Sequence, residues 1–131
     1  MKTMTEAVEA LLNGATPSHE LHLGLEQCVL CIRSNSGELI EGLRDYFGHV
    51  VVEPREPDLD MIAVEREAPD LNVDFVEWKR EPGKTGRKDA YFDLADARLV
   101  LKVRTGMVFL QSQSQNIAAG PCIRYDNQVI N

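Results

Sequence analysis

The sequence predicts an α+β fold: a largely antiparallel sheet of hairpins with one or two packed helices. Three observations lead there. Strand-like runs with apolar residues at alternate positions dominate the chain. Only two stretches carry a helical period with caps at their ends. The elements run as a strand pair, a helix and then several strands, which is the order of an α+β domain and not of a repeated βαβ unit.

In chain order, "TEAVEALLNG" reads as a short helix with Thr5 as N-cap, Val8, Leu11 and Leu12 on one face and Gly14 as the stop. "ATPSHE" breaks it. "LHLGLEQCVLCIRS" reads as a β-hairpin, with Leu21, Leu23 and Leu25 alternating, Glu26-Gln27 turning and Val29 to Ile32 returning. "SNSGELIEGLRDYFG" is the clearest helix. Ser36 caps it, Leu39, Leu43 and Phe47 follow at i, i+4 and i+8, and Gly48 ends it. "HVVVE", "DMIAVERE" and "NVDFVEW" are strand candidates separated by turn formers.

The strongest hairpin signal comes next. "DAYFDL" and "RLVLKVRTGMVFLQ" are joined by Ala95-Asp96-Ala97. In the second run Leu99, Leu101 and Val103 face one way and Arg98, Val100, Lys102 and Arg104 the other, with Gly106 marking a bulge or bend before "MVFLQ". "QSQSQNIAAGP" has the composition of a surface loop. "CIRYD" reads as a last short strand and "DNQVIN" as a helix start capped by Asp126 or Asn127. A helix with about one turn left buries almost nothing, so the polypeptide is expected to continue past Asn131.

Composition sets bounds on function. The 131 residues, 44% hydrophobic and 27% charged, suit a single globular domain. No apolar run approaches the roughly 20 residues that span a bilayer, and Glu6 and Glu9 spoil the N-terminus as a secretory signal. A cytoplasmic protein with no membrane partner is expected. Net charge is −7 and uneven: residues 1–81 carry 17 acidic against 7 basic side chains, residues 82–131 carry 4 against 7. The acidic half argues against nucleic acid as a partner. The local basic excess suits one anionic group or an acidic protein patch.

The three cysteines do not form a disulfide framework. Cys28 and Cys31 make a C-x-x-C, but inside a strand these residues point to opposite faces, and neither Cys122 nor the nearby His19 and His22 completes a linear metal motif. Buried strand cysteines and no metal are the expectation. Ser34, Ser36, Ser112 and Ser114 have no His–Asp partners that spacing reveals, so no catalytic residue is assigned.

Gly83-Lys84-Thr85 invites a P-loop reading, G-x-x-x-x-G-K-[ST] between a strand and a helix. The first glycine of that motif is replaced by Trp78, Pro82 removes an amide from the phosphate cradle, and "GRKDAYFDL" continues as a strand. The chain therefore carries no Walker A motif, and no cofactor is expected in it. As a connecting loop, "REPGKTGRK" still gathers Lys84, Arg87 and Lys88, and Lys102 and Arg104 lie on the outer face of the following hairpin. These five are the candidate anion- or partner-binding residues.

The blocks "PGKTGRKDAY", "KVRTGMVFLQS" and "AAGPC", with the earlier "LHLGLEQCVLCIRSNSGELIEGLRDYF", resemble the N-terminal part of the HPr kinase-related proteins of the HprK-related kinase B type, over about Leu21 to Asn131. The resemblance implies a bacterial kinase in two parts. Residues 1–20 would be an N-terminal helix and linker, and 21–131 a single α+β domain ahead of a P-loop kinase domain. That downstream domain would use ATP and Mg to phosphorylate a protein serine, with ATP-grasp and CofD-like proteins as genomic neighbours. On this reading the present chain is a non-catalytic domain that positions the substrate protein or regulates the ATP site, and it is inactive alone. The competing reading is a stand-alone binding module for an anionic ligand or partner protein. A surface built to meet a downstream domain would also favour homo-oligomers of the isolated chain.

Overall fold

The computed structural model describes residues 3–77 and 89–130. The segment containing Trp78, Gly83-Lys84-Thr85, Arg87 and Lys88 lies outside these residues, so the P-loop question rests on the sequence.

Helix α1 (Met4–Leu12) begins two residues earlier than its sequence suggests. Thr3, not Thr5, is the N-cap, and its hydroxyl accepts from the Glu6 amide at 3.3 Å. Thr3 has a glutamate three residues on, the pairing of a capping box, which Thr5 lacks. Asn13 closes the helix in the left-handed region (φ 49°) and donates its N–H to the Glu9 carbonyl, ahead of Gly14.

The first hairpin forms as read: β1 (His19–Leu25) and β2 (Cys28–Ser34) pair antiparallel around Glu26-Gln27. Helix α2 (Gly37–Tyr46) follows, with the Ser36 hydroxyl accepting from the Leu39 amide at 3.1 Å. Its Leu39, Ile40 and Leu43 are buried, and a 3-10 turn (Gly48–Val50) leads out of it. The short β3 (Val51–Val52) pairs with β1, while β4 (Leu59–Glu65) lies parallel to β2.

Asn35 ties this unit together. Its side-chain oxygen accepts from the Glu65 amide at 2.8 Å and its amide donates to the Glu65 carbonyl at 3.0 Å, so one side chain acts as an extra strand residue beside β4. Asn35→Ala removes both partners and is expected to cost about 1–3 kcal/mol. A lower urea midpoint at unchanged m-value is the readout.

Beyond β4 the chain builds a meander: β5 (Val76–Glu77), β6 (Ala90–Asp93), β7 (Arg98–Leu101), β8 (Val108–Gln111) and β9 (Asn116–Gly120). The nine strands form one sheet in the order β3-β1-β2-β4-β9-β8-β7-β6-β5. Among the described residues only β2/β4 and β4/β9 are parallel, and the other pairings are antiparallel. The α+β architecture expected from the sequence is present.

Four local readings differ. The stretch read as a surface loop, 111–121, contains β9, which is buried and central between β4 and β8. "CIRYD" is a turn and not a strand. Pro121 offers no N–H to a ladder, Gly120 has φ 139°, and the Tyr125 amide bonds back to the Pro121 carbonyl at 3.1 Å. Gly106 marks a reversal and not a bulge: the Lys102 carbonyl accepts from Thr105 and Gly106, and β8 returns antiparallel along β7. In "NVDFVEW" only Val76–Glu77 is strand among the described residues, because Asn72 turns at φ 53° beneath the Asp70 carboxylate. The expected helix start is α3 (Asp126–Ile130).

The period-two alternation of the strands divides the core into two layers. On one face Leu21, Leu23, Ile32, Ala63 and Ala118 pack under Leu39, Ile40 and Leu43 of α2. On the other, Val64, Leu99, Val108, Leu110, Ile117 and Ala119 pack with Ala7 and Leu11 of α1. Where neither helix covers the sheet, two polar surfaces remain, one at each end.

Candidate functional site

The first surface lies on β7 and β8. Alternation places Arg98, Val100 and Lys102 together, as their sequence spacing indicates, and they line a groove of about 300 Å³ with Asp89, Phe109, Gln111 and Gln128. Of the five cations singled out from the sequence, Lys102 is here, Arg104 is exposed in the β7–β8 turn, and Lys84, Arg87 and Lys88 lie outside the described residues.

Both cations of the groove already hold a carboxylate. Lys102 Nζ stands 2.8 Å from Asp89 Oδ2. Arg98 grips Asp93 through two nitrogens, at 2.6 and 3.2 Å, and lies 4.6 Å from the centre of the Tyr91 ring. The hydrogen bond from Arg98 holds the Asp93 carboxyl below its ordinary range. An incoming anion must therefore replace an internal carboxylate, an exchange that partly exposed pairs permit at little cost because solvent screens them. The groove offers two exchangeable cations, two amide side chains and an aromatic wall. Arg98 lines this groove although the five cations marked from the sequence did not include it; its place on the same face as Lys102 was the available signal.

The second surface lies on the β1–β2 hairpin, on the face that α2 does not cover. His22 stands directly opposite Cys31 in the ladder, and Glu20 is two residues before His22 on the same face. One donor atom from each of the three falls within 4.8 Å of the others. His22 is 7% exposed and Cys31 1%. Arg33 roofs the cluster, 3.7 Å from Glu20 and 3.8 Å from Asp60. Burial pushes the Cys31 thiol above its ordinary value; Arg33 opposes this, while Glu20 and Asp60 add to it.

Linear spacing concealed this cluster. C-x-x-C directs attention to Cys28, which faces the other way, whereas the true neighbour lies across the turn. His22 and Cys31 are equally far from Glu26-Gln27, so the register of the predicted hairpin already pairs them. The serines read as lacking triad partners have structural work instead: Ser34 accepts from the Ser36 amide, Ser36 caps α2, and Ser112 accepts from the Ser114 and Gln115 amides.

No family model, no curated protein and no solved structure matches this chain.

Proposed function

We propose that this chain is a non-catalytic domain of an HPr kinase-related serine kinase, where it positions the substrate protein or regulates the ATP site. The observation that carries the reading is the resemblance of "PGKTGRKDAY", "KVRTGMVFLQS" and "AAGPC" to that family. The second block carries Lys102 and all of β8, and the third supplies the end of β9, so both lie at or beside the groove of Arg98 and Lys102. In this reading Lys102 and Arg98, with Lys84, Arg87, Lys88 and Arg104 from the neighbouring sequence, meet acidic groups of the substrate protein or of the P-loop domain. ATP and Mg belong to that downstream domain, and the protein works in the cytoplasm. No described helix is long and apolar enough to cross a membrane.

Two measurements test it. Calorimetry of the 131-residue chain with Mg-ATP is expected to show no binding tighter than the millimolar range; tight binding would mean that the segment around Gly83 forms a nucleotide site after all. The gene is expected to continue past Asn131 into a strand–GxxxxGK[ST]–helix segment. A stop codon there favours the second reading, a stand-alone module for an anionic ligand. That alternative draws on the same groove and on two cores filled by the chain's own residues.

A further inference from the structure

We propose that Glu20, His22 and Cys31 form a binding site for a zinc-class divalent cation, with a fourth coordination position open to water. This inference rests on the first hairpin and is independent of the kinase reading.

The donor set selects the ion. One carboxylate oxygen, one imidazole nitrogen and one thiolate sulfur suit the borderline-soft Zn²⁺, whereas Mg²⁺ and Ca²⁺ take oxygen ligands. The spacing is close to what such an ion needs. Bonds of about 2.0–2.3 Å in a tetrahedron put neighbouring ligand atoms roughly 3.5 Å apart. The three donors lie within 4.8 Å of one another, so closure needs a shift of about 1 Å. Most of that falls to Glu20, whose side chain is half exposed and can turn.

His22 is held where a ligand can reach it. The residue is 7% exposed, and neither ring nitrogen has a hydrogen-bond partner among the described residues. None of the described side-chain nitrogens and oxygens that are wholly buried lacks a partner, so the ring keeps a narrow opening through which water or a cation reaches it. A cation held between His22 and Cys31 takes the place that water would otherwise fill.

The backbone prepares the site. The β1–β2 ladder fixes His22 and Cys31 face to face before any ion arrives, and Val52 of β3 flanks His22 on the far side. On binding, Cys31 releases its thiol proton to solvent and its sulfur donates an electron pair to the cation. Glu20 leaves Arg33 for the ion, and Arg33 keeps Asp60. The ion pair surrendered is half exposed and weak. The gain from three metal bonds exceeds it.

Cobalt is the direct probe, because its spectrum reports both thiolate ligation and geometry. The metal-free chain titrated with Co²⁺ is expected to bind one ion, with a thiolate-to-cobalt charge-transfer band and the intense visible bands of a four-coordinate site, both removed by added Zn²⁺. Cys31→Ser should abolish the charge-transfer band and Cys28→Ser should leave it intact. Glu20→Gln, at an exposed position that does not threaten folding, should weaken binding by more than the roughly 10- to 100-fold typical of losing an outer-shell partner. Absence of the band in the parent chain would overturn the site. So would Co²⁺ affinity unchanged in a folded Glu20→Gln chain, or a charge-transfer band that persists in Cys31→Ser.

Discussion

Ile117→Ala is expected to destabilise the chain by about 2–5 kcal/mol, the range for truncating a large aliphatic side chain in a core. Ile117 is 1% exposed and lies in β9, paired with Ile62 of β4 on one side and Leu110 of β8 on the other. It packs with Leu99, Val108, Leu110 and the α1 residues Ala7 and Leu11. These neighbours belong to hydrogen-bonded strands and cannot collapse far into the space left by a missing side chain. Had 111–121 been the solvated loop that its composition suggests, the same substitution would fall within about ±0.5 kcal/mol. Urea unfolding separates the two cases directly. A midpoint close to the parent's would mean that β9 does not occupy the centre of the sheet.

Cys122 makes the fold sensitive to alkali. The residue is 0% exposed, with its sulfur 3.3 Å from the Val64 carbonyl. Burial, with a smaller contribution from the Glu65 carboxylate, pushes the thiol up to about 12 from 9.0. A raised folded-state value means that the folded chain holds its proton where the unfolded chain has lost it. The resulting stability is fully present below pH 9 and disappears as pH rises from about 9 towards 12. Each pH unit in that window is worth at most about 1.4 kcal/mol, or about 4 kcal/mol across it. Tyrosines and lysines also titrate there, so the comparison is between the parent and Cys122→Ala. The variant loses some packing at pH 7, yet its stability should fall less steeply between pH 9 and 11. Parallel pH profiles for the two proteins would show that the thiol is not held in its neutral form.

Much of this architecture could be read residue by residue. The hairpin around Glu26-Gln27, the helix capped by Ser36 and the strand pair joined at Ala95-Asp96-Ala97 all depend on contacts within a few residues. Periodicity and caps report such contacts directly. The misreadings share the opposite property. "NIAAG" lacks the alternation of a half-buried strand because both its faces are covered, and alanine and glycine are poor strand formers. Its partners β4 and β8 make it a strand. Gly106 read as a bulge or bend in one continuing strand because a glycine within a β-rich run is compatible with either of these and with a full reversal. Ala68 leaves no room there for a side chain: a Cβ added to Gly106 would come within 2.6 Å of the Ala68 Cβ.

The binding surfaces divide in the same way. That Arg98, Val100 and Lys102 share a face followed from alternation, but their pairing with Asp93 and Asp89 did not. Those carboxylates decide whether the groove presents bare or exchangeable charge. For Glu20, His22 and Cys31, residue type and hairpin register were both on view, while burial and the Arg33 roof required the rest of the sheet.

By itself, then, the sequence determined the existence of the helices, the hairpin around Glu26-Gln27, the strand pair joined at Ala95-Asp96-Ala97, the shared face of Arg98, Val100 and Lys102, and the absence of a Walker A motif, all properties of neighbours along the chain. Tertiary structure alone decided that β9 joins β4 to the meander, which cations are neutralised and which buried donors converge. Those outcomes depend on pairings between residues far apart in sequence. Local propensity is too weak to choose such partners; the burial of apolar surface on both faces of one sheet chooses them.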